Sequence, residues 1–226
     1  MKKYALNNSY FKNRRPDDPD TLPEIVTYIK QNGELPFRYD GDNWSYDTVC
    51  ERQKRRGVVG CQFLTPDRTA ARMAELAVEY GDGVTMALDA CCGTGQITKY
   101  LLSQGFEVSA FDIDIQITEV HNYLYPRCYA VPIDFKNLPA EGKWPLIVSN
   151  PPFERTIAQE FMQWLIDSLP SEGRAVLLLP KGYTKKTNPA GLVQLLLRMT
   201  VLHSEDMSES FAHTQTPCEI VVVEKR

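Results

Sequence analysis

The sequence predicts an α/β fold, a seven-stranded and mostly parallel sheet with helices on both faces and one antiparallel strand, on three observations. From residue 84 onward, short β-branched runs alternate with helix-length amphipathic segments, the pattern of parallel strands joined by crossover helices. The runs Met86–Asp89 and Leu146–Ser149 place apolar residues at consecutive rather than alternate positions, as strands covered on both faces do. Near the end, two strand-like runs are separated by a polar stretch with no helix, so they are expected to pair antiparallel.

Taken in order, Pro66–Tyr80 reads as a helix. Thr65 stands where a cap would, Pro66 suits a first turn, and Ala70, Met73, Ala74 and Ala77 line one face. The strands expected are Val84–Asp89, Glu107–Asp112, Cys128–Val131, Leu146–Ser149, Ala175–Leu179, Thr200–Ser204 and Glu219–Val223. Amphipathic helices are expected over Gln96–Ser103, Gln116–Leu124, Ile157–Ser168 and Leu192–Met199. Residues 61–226 thus read as one domain. Residues 1–60 read as a mainly helical and irregular extension, punctuated by Pro16, Pro19 and Pro23 before helical stretches at Leu22–Gln31 and Tyr46–Arg56.

Composition is that of a soluble globular protein, 43% hydrophobic and 24% charged. No run approaches the roughly 18 to 20 apolar residues that cross a bilayer. Met1–Arg15 lacks the apolar stretch of a secretory signal, so a cytoplasmic protein without membrane contact is expected. The six cysteines form no C-x-x-C pair, and His121, His203 and His213 are scattered, so reduced thiols and no metal site are expected. Net charge is −4, but residues 1–60 carry +2, and Lys181–Arg198 holds Lys181, Lys185, Lys186 and Arg198 with no acid. Such a cluster is either solvated surface or a footprint for phosphates, and it follows the fifth strand on the edge where α/β sheets bind ligands. Arg55 and Arg56 are a second candidate.

Three motifs carry chemistry. The first, Asp89-Ala-Cys-Cys-Gly-Thr-Gly95, lies where a strand turns into a helix. Gly93 and Gly95 permit positive φ and close approach of the backbone to a ligand. Thr98 stands where a dinucleotide fingerprint has its third glycine, and no G-K-[ST] follows, so a nucleoside triphosphate is disfavoured. The second is Phe111-Asp-Ile-Asp at the next strand end. Asp112 lies 23 residues beyond Asp89, near the spacing at which an acid receives ribose hydroxyls, while Asp114 suits a helix cap. Asp134 and Phe135 follow the third strand, placed for an adenine amine and an adenine face.

The third motif, Asn150-Pro151-Pro152-Phe153, directly follows the fourth strand. Its prolines fix the backbone and lack N–H groups, leaving carbonyl oxygens to face a ligand. Phe153 offers a stacking surface for a planar base. An aryl amine is a poor nucleophile because its lone pair is delocalised into the ring. Acceptance of both its N–H bonds, by the Asn150 side-chain oxygen and the Pro151 carbonyl, favours a pyramidal nitrogen and so stabilises the transition state selectively.

On these motifs the chain resembles the S-adenosylmethionine-dependent amino-methyltransferases, in particular the γ-class adenine-N6 DNA enzymes. Asn150–Phe153 matches their D/N/S-P-P-Y/F/W motif, Asp89–Gly95 their glycine motif, and Phe111–Asp114 their ribose-binding one. Gln62-Phe-Leu-Thr-Pro66 resembles the segment upstream of the glycine motif in type I and related modification enzymes, where Phe63, Thr65 and Pro66 would line the methionine side of the cofactor. The resemblance, over roughly residues 60–224, implies a Rossmann-like class I methyltransferase fold. It implies S-adenosyl-L-methionine as cofactor, held by Phe63, Thr65, Pro66, Asp89, Cys91, Gly93, Gly95, Asp112, Ile113, Asp134, Phe135 and Asn150. Asn150, Pro151, Pro152 and Phe153 would carry the chemistry, and Lys181, Lys185 and Lys186 would contact the substrate backbone. No loop between strands has room for the large recognition domain usual in γ-class enzymes. Sequence-specific DNA recognition would then fall to residues 1–60, to a partner subunit, or not occur.

Adenine N6 in DNA is the substrate expected first, since the Thr-Pro segment precedes the glycine loop. An RNA base, at adenine N6 or guanine N2, is the alternative, because both chemistries use Asn-Pro-Pro-Phe/Tyr. A protein-glutamine methyltransferase, which more often has Tyr at the place of Phe153, and a non-catalytic nucleic-acid-binding fold-mate are further readings.

Overall fold

The computed structural model describes residue 31 and residues 65–183, 198–207 and 217–226. The expected N-terminal extension, the helix expected at Leu192–Met199 up to residue 197, Phe63, Lys185 and Lys186 lie outside the described residues.

The first described element is helix α1 (Asp67–Tyr80), followed by β1 (Met86–Ala90), α2 (Gln96–Ser103), β2 (Glu107–Asp112), α3 (Ile115–Leu124) and β3 (Ala130–Pro132). A 3₁₀ turn (Phe135–Asn137) leads to β4 (Leu146–Ser149), α4 (Arg155–Ser168) and β5 (Arg174–Pro180). The sheet ends with β6 (Met199–Asp206) and β7 (Cys218–Lys225). The seven strands lie in the order β3-β2-β1-β4-β5-β7-β6. β3, β2, β1, β4 and β5 pair parallel in succession, and β7 runs antiparallel to both β5 and β6. One strand is therefore reversed, as expected. It is inserted between β5 and β6 rather than added at the edge.

Burial explains the consecutive apolar runs. Alternate residues of one strand face different helices. Ala87, Val148, Val176, Leu178 and Val222 face a core with Met73 and Ala77 of α1 and Ile97 and Leu101 of α2. Leu88, Ile147, Ala175, Leu177 and Val221 face the other core, filled by Phe161, Trp164 and Leu165 of α4. Helices thus cover both faces, which leaves the strands' carboxyl ends as the open edge. The order of strands reverses between β1 and β4, and the crevice above such a point is where ligands bind in open α/β sheets. Among the described residues no helix is long and apolar enough to cross a membrane.

Candidate active site

The motifs that follow strands all leave the sheet at this carboxyl edge. Cys91 follows β1, Ile113 follows β2, Asp134 follows β3, Asn150 follows β4 and Lys181 follows β5. Ala90 and Ser149 pair across β1 and β4, and the Ser149 hydroxyl donates to the Ala90 carbonyl at 2.7 Å. That pairing puts the glycine loop and the Asn-Pro-Pro-Phe segment side by side.

The loop after β1 is a sequence of left-handed residues, with Cys91 at φ +58, Gly93 at +55 and Gly95 at +92. A β-carbon makes this conformation costly, so Cys91 holds backbone strain of about 1 kcal/mol or more, as ligand loops often do. The cost is offset by bonds from the loop to β2. Cys92 N donates to the Phe111 carbonyl at 2.9 Å, and Gly93 N to Asp112 Oδ2 at 3.0 Å. Gly95 answers to a different neighbour from the one expected. A β-carbon there would strike the Tyr125 ring, with Cδ2 at 2.7 Å, and His121 Cδ2 at 2.8 Å. The close approach at Gly95 is therefore by the end of α3.

Asp112 is buried, and its Oδ1 accepts from Asp114 N at 3.0 Å. Burial raises its pKa from 3.8 to about 6, against the pull of the amides of Asp114 and Gly93. Its carboxylate binds loop to strand in addition to any ribose role. Asp114 caps the start of α3, as expected, accepting from Ile117 N at 3.4 Å. Ile113, between the two acids, is 47% exposed and presents an apolar side chain at this edge.

Asp89 is fully buried in the middle of the sheet, and burial raises its pKa from 3.8 to about 7. Thr98 Oγ1 donates to its Oδ2 at 2.6 Å and lies 3.0 Å from His121 Nε2, while among the described residues Asp89 Oδ1 and His121 Nδ1 make no hydrogen bond. Burial in turn lowers the His121 pKa from 6.5 to about 4. Neither Thr98 nor His121 was singled out from the sequence as a partner of Asp89. The only local sign was a threonine on the inner face of a helix just after the loop.

Two expectations are corrected. Phe135 does not offer its ring to an adenine face. The ring is buried in the α4 core, edge-on to Phe161 at 5.4 Å and tilted against Trp164 at 6.0 Å. Asp134, beside it, accepts from Lys136 N at 3.0 Å and caps the 3₁₀ turn. Thr65 does not cap α1 either. Pro66 is the cap residue, with no side-chain bond, and the buried Thr65 hydroxyl accepts from Asn150 Nδ2 at 3.1 Å. The segment before the first helix and the segment after the fourth strand thus meet at the site.

Pro151 is buried, and Pro152 and Phe153 are half-buried, with Phe153 packed on the α1–α2 core. Tyr183, beyond β5, donates its hydroxyl to the Phe153 carbonyl at 3.3 Å and packs on the opposite core. The sequence reading passed over this tyrosine. Lys181 is exposed and ion-paired to Asp206 at 2.5 Å, so a phosphate at this lysine would have to share it with β6.

No family model matches the chain. Over 90 residues it is 36% identical to the ribosomal RNA small subunit methyltransferase A of Synechococcus sp. (strain JA-2-3B'a(2-13)), a stretch that is 38% of this chain and 31% of that protein. The match thus spans about a third of the relative's length. Among solved structures it is similar to a candidate RNA methyltransferase of Pyrococcus horikoshii, with a TM-score of 0.59 and 15% identity, over 73% of this chain and 87% of that one. It is also similar to magnesium protoporphyrin IX methyltransferase of Synechocystis, solved with bound S-adenosylhomocysteine, with a TM-score of 0.56 and 17% identity, over 71% of this chain and 83% of that one. A third is the 1,6-didemethyltoxoflavin-N1-methyltransferase of Burkholderia thailandensis, also with S-adenosylhomocysteine, with a TM-score of 0.55 and 18% identity, over 70% of this chain and 79% of that one. Together with the sheet order and the loop after β1, these likenesses show that the chain has the fold of the class I S-adenosylmethionine-dependent methyltransferases.

Proposed function

We propose that the chain is an S-adenosylmethionine-dependent N-methyltransferase acting on an exocyclic base amine in nucleic acid. The observation that carries this reading is the placement of Asn150-Pro-Pro-Phe153 at the end of β4, beside the left-handed loop at the sheet's reversal point. The residues present fit the cofactor. An exposed apolar Ile113 suits an adenine face, and Asp112 and Asp134, which end or follow strands at the carboxyl edge, would receive ribose hydroxyls and an adenine amine. Asp89, fully buried with one oxygen that makes no hydrogen bond among the described residues, suits a nearby cation and would hold the positive methionine end. Cys91, Gly93, Thr65 and Pro66 would complete the cradle, with Gly95 setting the course of the loop against α3.

When bound, the cofactor supplies an electrophilic methyl group. Asn150 and the Pro151 carbonyl accept from the two amine N–H groups, which localises the nitrogen lone pair as the bond forms. Phe153 stacks on the base and offsets part of the cost of taking it out of a helix. No general base is required, because the alkylated amine is acidic enough to release its proton to water.

RNA is the substrate class we favour, since the matched relative is by name a ribosomal RNA enzyme. A DNA adenine remains the second reading, favoured by the Thr-Pro segment ahead of the glycine loop. Tritiated methyl transfer to small-subunit ribosomal RNA, tRNA, duplex DNA and a protein extract, run side by side, separates them. Label on RNA, recovered as a methylated base amine, is the expected result. Label on protein, or no binding of the cofactor by calorimetry, would remove the proposal.

A further inference from the structure

The Asn150 side chain has two unlike ends. Its reading as an acceptor for the amine requires the oxygen, not the NH₂, to face the substrate. A rotation of the amide by half a turn would present two donors to two donors, and the site would repel the group it must activate. Something must therefore hold the amide in one sense. In the structure Asn150 Nδ2 donates to Thr65 Oγ1 at 3.1 Å, and Thr65 is 95% shielded from solvent, at 5% exposure. The hydroxyl that local sequence assigns to capping α1 makes no cap bond. It is spent on the amide instead.

We propose that Thr65 is the positioning residue of the reaction: its hydroxyl engages the Asn150 NH₂ and so turns the Asn150 oxygen toward the substrate amine. The proposal rests on the reading of Asn150 as an amine acceptor and deepens it. Thr65 acts from 85 residues away in sequence, on the segment that enters α1. Its geometry can therefore respond to whatever sets the start of that helix. At the other end of the motif, Tyr183 donates to the Phe153 carbonyl, so the four residues are held at both ends.

Three variants test it: Thr65→Val, which keeps shape and loses the acceptor; Thr65→Ser, which keeps the acceptor; and Asn150→Ala. In ¹⁵N-labelled protein the side-chain NH₂ pair of Asn150 is identified by its absence in Asn150→Ala. That pair should shift in Thr65→Val and return toward the wild-type position in Thr65→Ser, with no substrate needed. With cofactor saturating, turnover on small-subunit ribosomal RNA should fall roughly tenfold in Thr65→Val, the loss of about one hydrogen bond, and recover to within about threefold in Thr65→Ser. Melting temperature should fall by no more than a few degrees, since one part-buried hydrogen bond is lost but no helix cap. Thr65→Val added to Asn150→Ala should cost nothing further, as two residues acting through one group do. An unmoved Asn150 NH₂ signal in Thr65→Val, or equal turnover losses in the Val and Ser variants, would overturn the proposal. If Asn150→Ala itself keeps its turnover, the functional reading fails instead, while the NMR comparison still decides whether the bond to Thr65 exists.

Discussion

Asn150 and Phe153 sit three positions apart in chain order and do separate work. Removing the Asn150 acceptor deletes an interaction that strengthens only as the amine becomes pyramidal, so turnover should fall about 10²-fold or more while cofactor affinity changes little. Phe153 contributes base stacking, worth roughly 1 to 3 kcal/mol. Phe153→Ala should therefore hurt most on a paired target and least on an unpaired one, and Phe153→Tyr or Phe153→Trp should keep substantial activity. Equal losses on paired and unpaired oligonucleotides would remove the stacking role. The buried acids make a different prediction. Asp89 and Asp112 have folded pKa values of about 7 and about 6, both raised by burial above 3.8. Between the unfolded and folded values the native state holds more protons, so each acid's stabilising contribution is greatest at low pH and is lost as pH rises through the folded value. His121, lowered from 6.5 to about 4, has the opposite sign, since its contribution is lost as pH falls through that window. Asp89→Asn should therefore lessen the fall in melting temperature as the cofactor-free protein is taken from about pH 4 to about pH 7. An unchanged slope would mean that Asp89 titrates normally in the fold.

At the scale of elements, the tightest junction is where α2 begins against the end of α3. Gly95 has φ +92, and any side chain there meets Tyr125 and His121. Gly95→Ala should cost roughly 1 to 3 kcal/mol of stability from backbone strain and overpacking, read by denaturant unfolding. It should also weaken cofactor binding by displacing the loop; a stable variant with normal binding would show that the junction yields freely. Elements of this kind were legible in the sequence where one strand or helix sufficed to identify them. Consecutive apolar residues in Met86–Ala90 and Leu146–Ser149 announced strands buried on both faces, and the helix-free connection between β6 and β7 announced an antiparallel pair. What was not legible depends on partners distant in the chain. The capping pattern around Thr65 is a local signal, whereas its actual partner lies on β4's exit. The ring of Phe135 could face a ligand or the core, and α4 decided the matter by supplying Phe161 and Trp164. Thr98 looked like a missing glycine and is instead the α2 donor to the buried Asp89. The insertion of β7 between β5 and β6 likewise follows from its almost wholly buried run Cys218–Val223, which requires a neighbour on each side.

For the whole molecule, the sheet gathers five loop segments on one edge, and charge on that edge bears on how a polyanion would dock. Lys181 is exposed there and paired to Asp206. Lys185 and Lys186 follow it in sequence. If the three contact phosphates, replacing all of them with Ala should flatten the salt dependence of RNA binding by a slope of about 2 to 3. Asp206→Ala should strengthen binding if Lys181 is shared between the acid and a phosphate. A triple variant with the parent's salt slope would mark these lysines as solvated surface. The central claim, that the Asn-Pro-Pro-Phe segment delivers a methyl group to a base amine, is tested most directly by one comparison. Small-subunit ribosomal RNA is incubated with tritiated S-adenosylmethionine and either the wild-type protein or Asn150→Ala, under single-turnover conditions, and the RNA is digested to nucleosides. The account requires label on an exocyclic amine with wild-type protein and its near-complete loss with Asn150→Ala, at equal cofactor occupancy. Label on a ring carbon or a ribose oxygen, or undiminished amine methylation by Asn150→Ala, would contradict it.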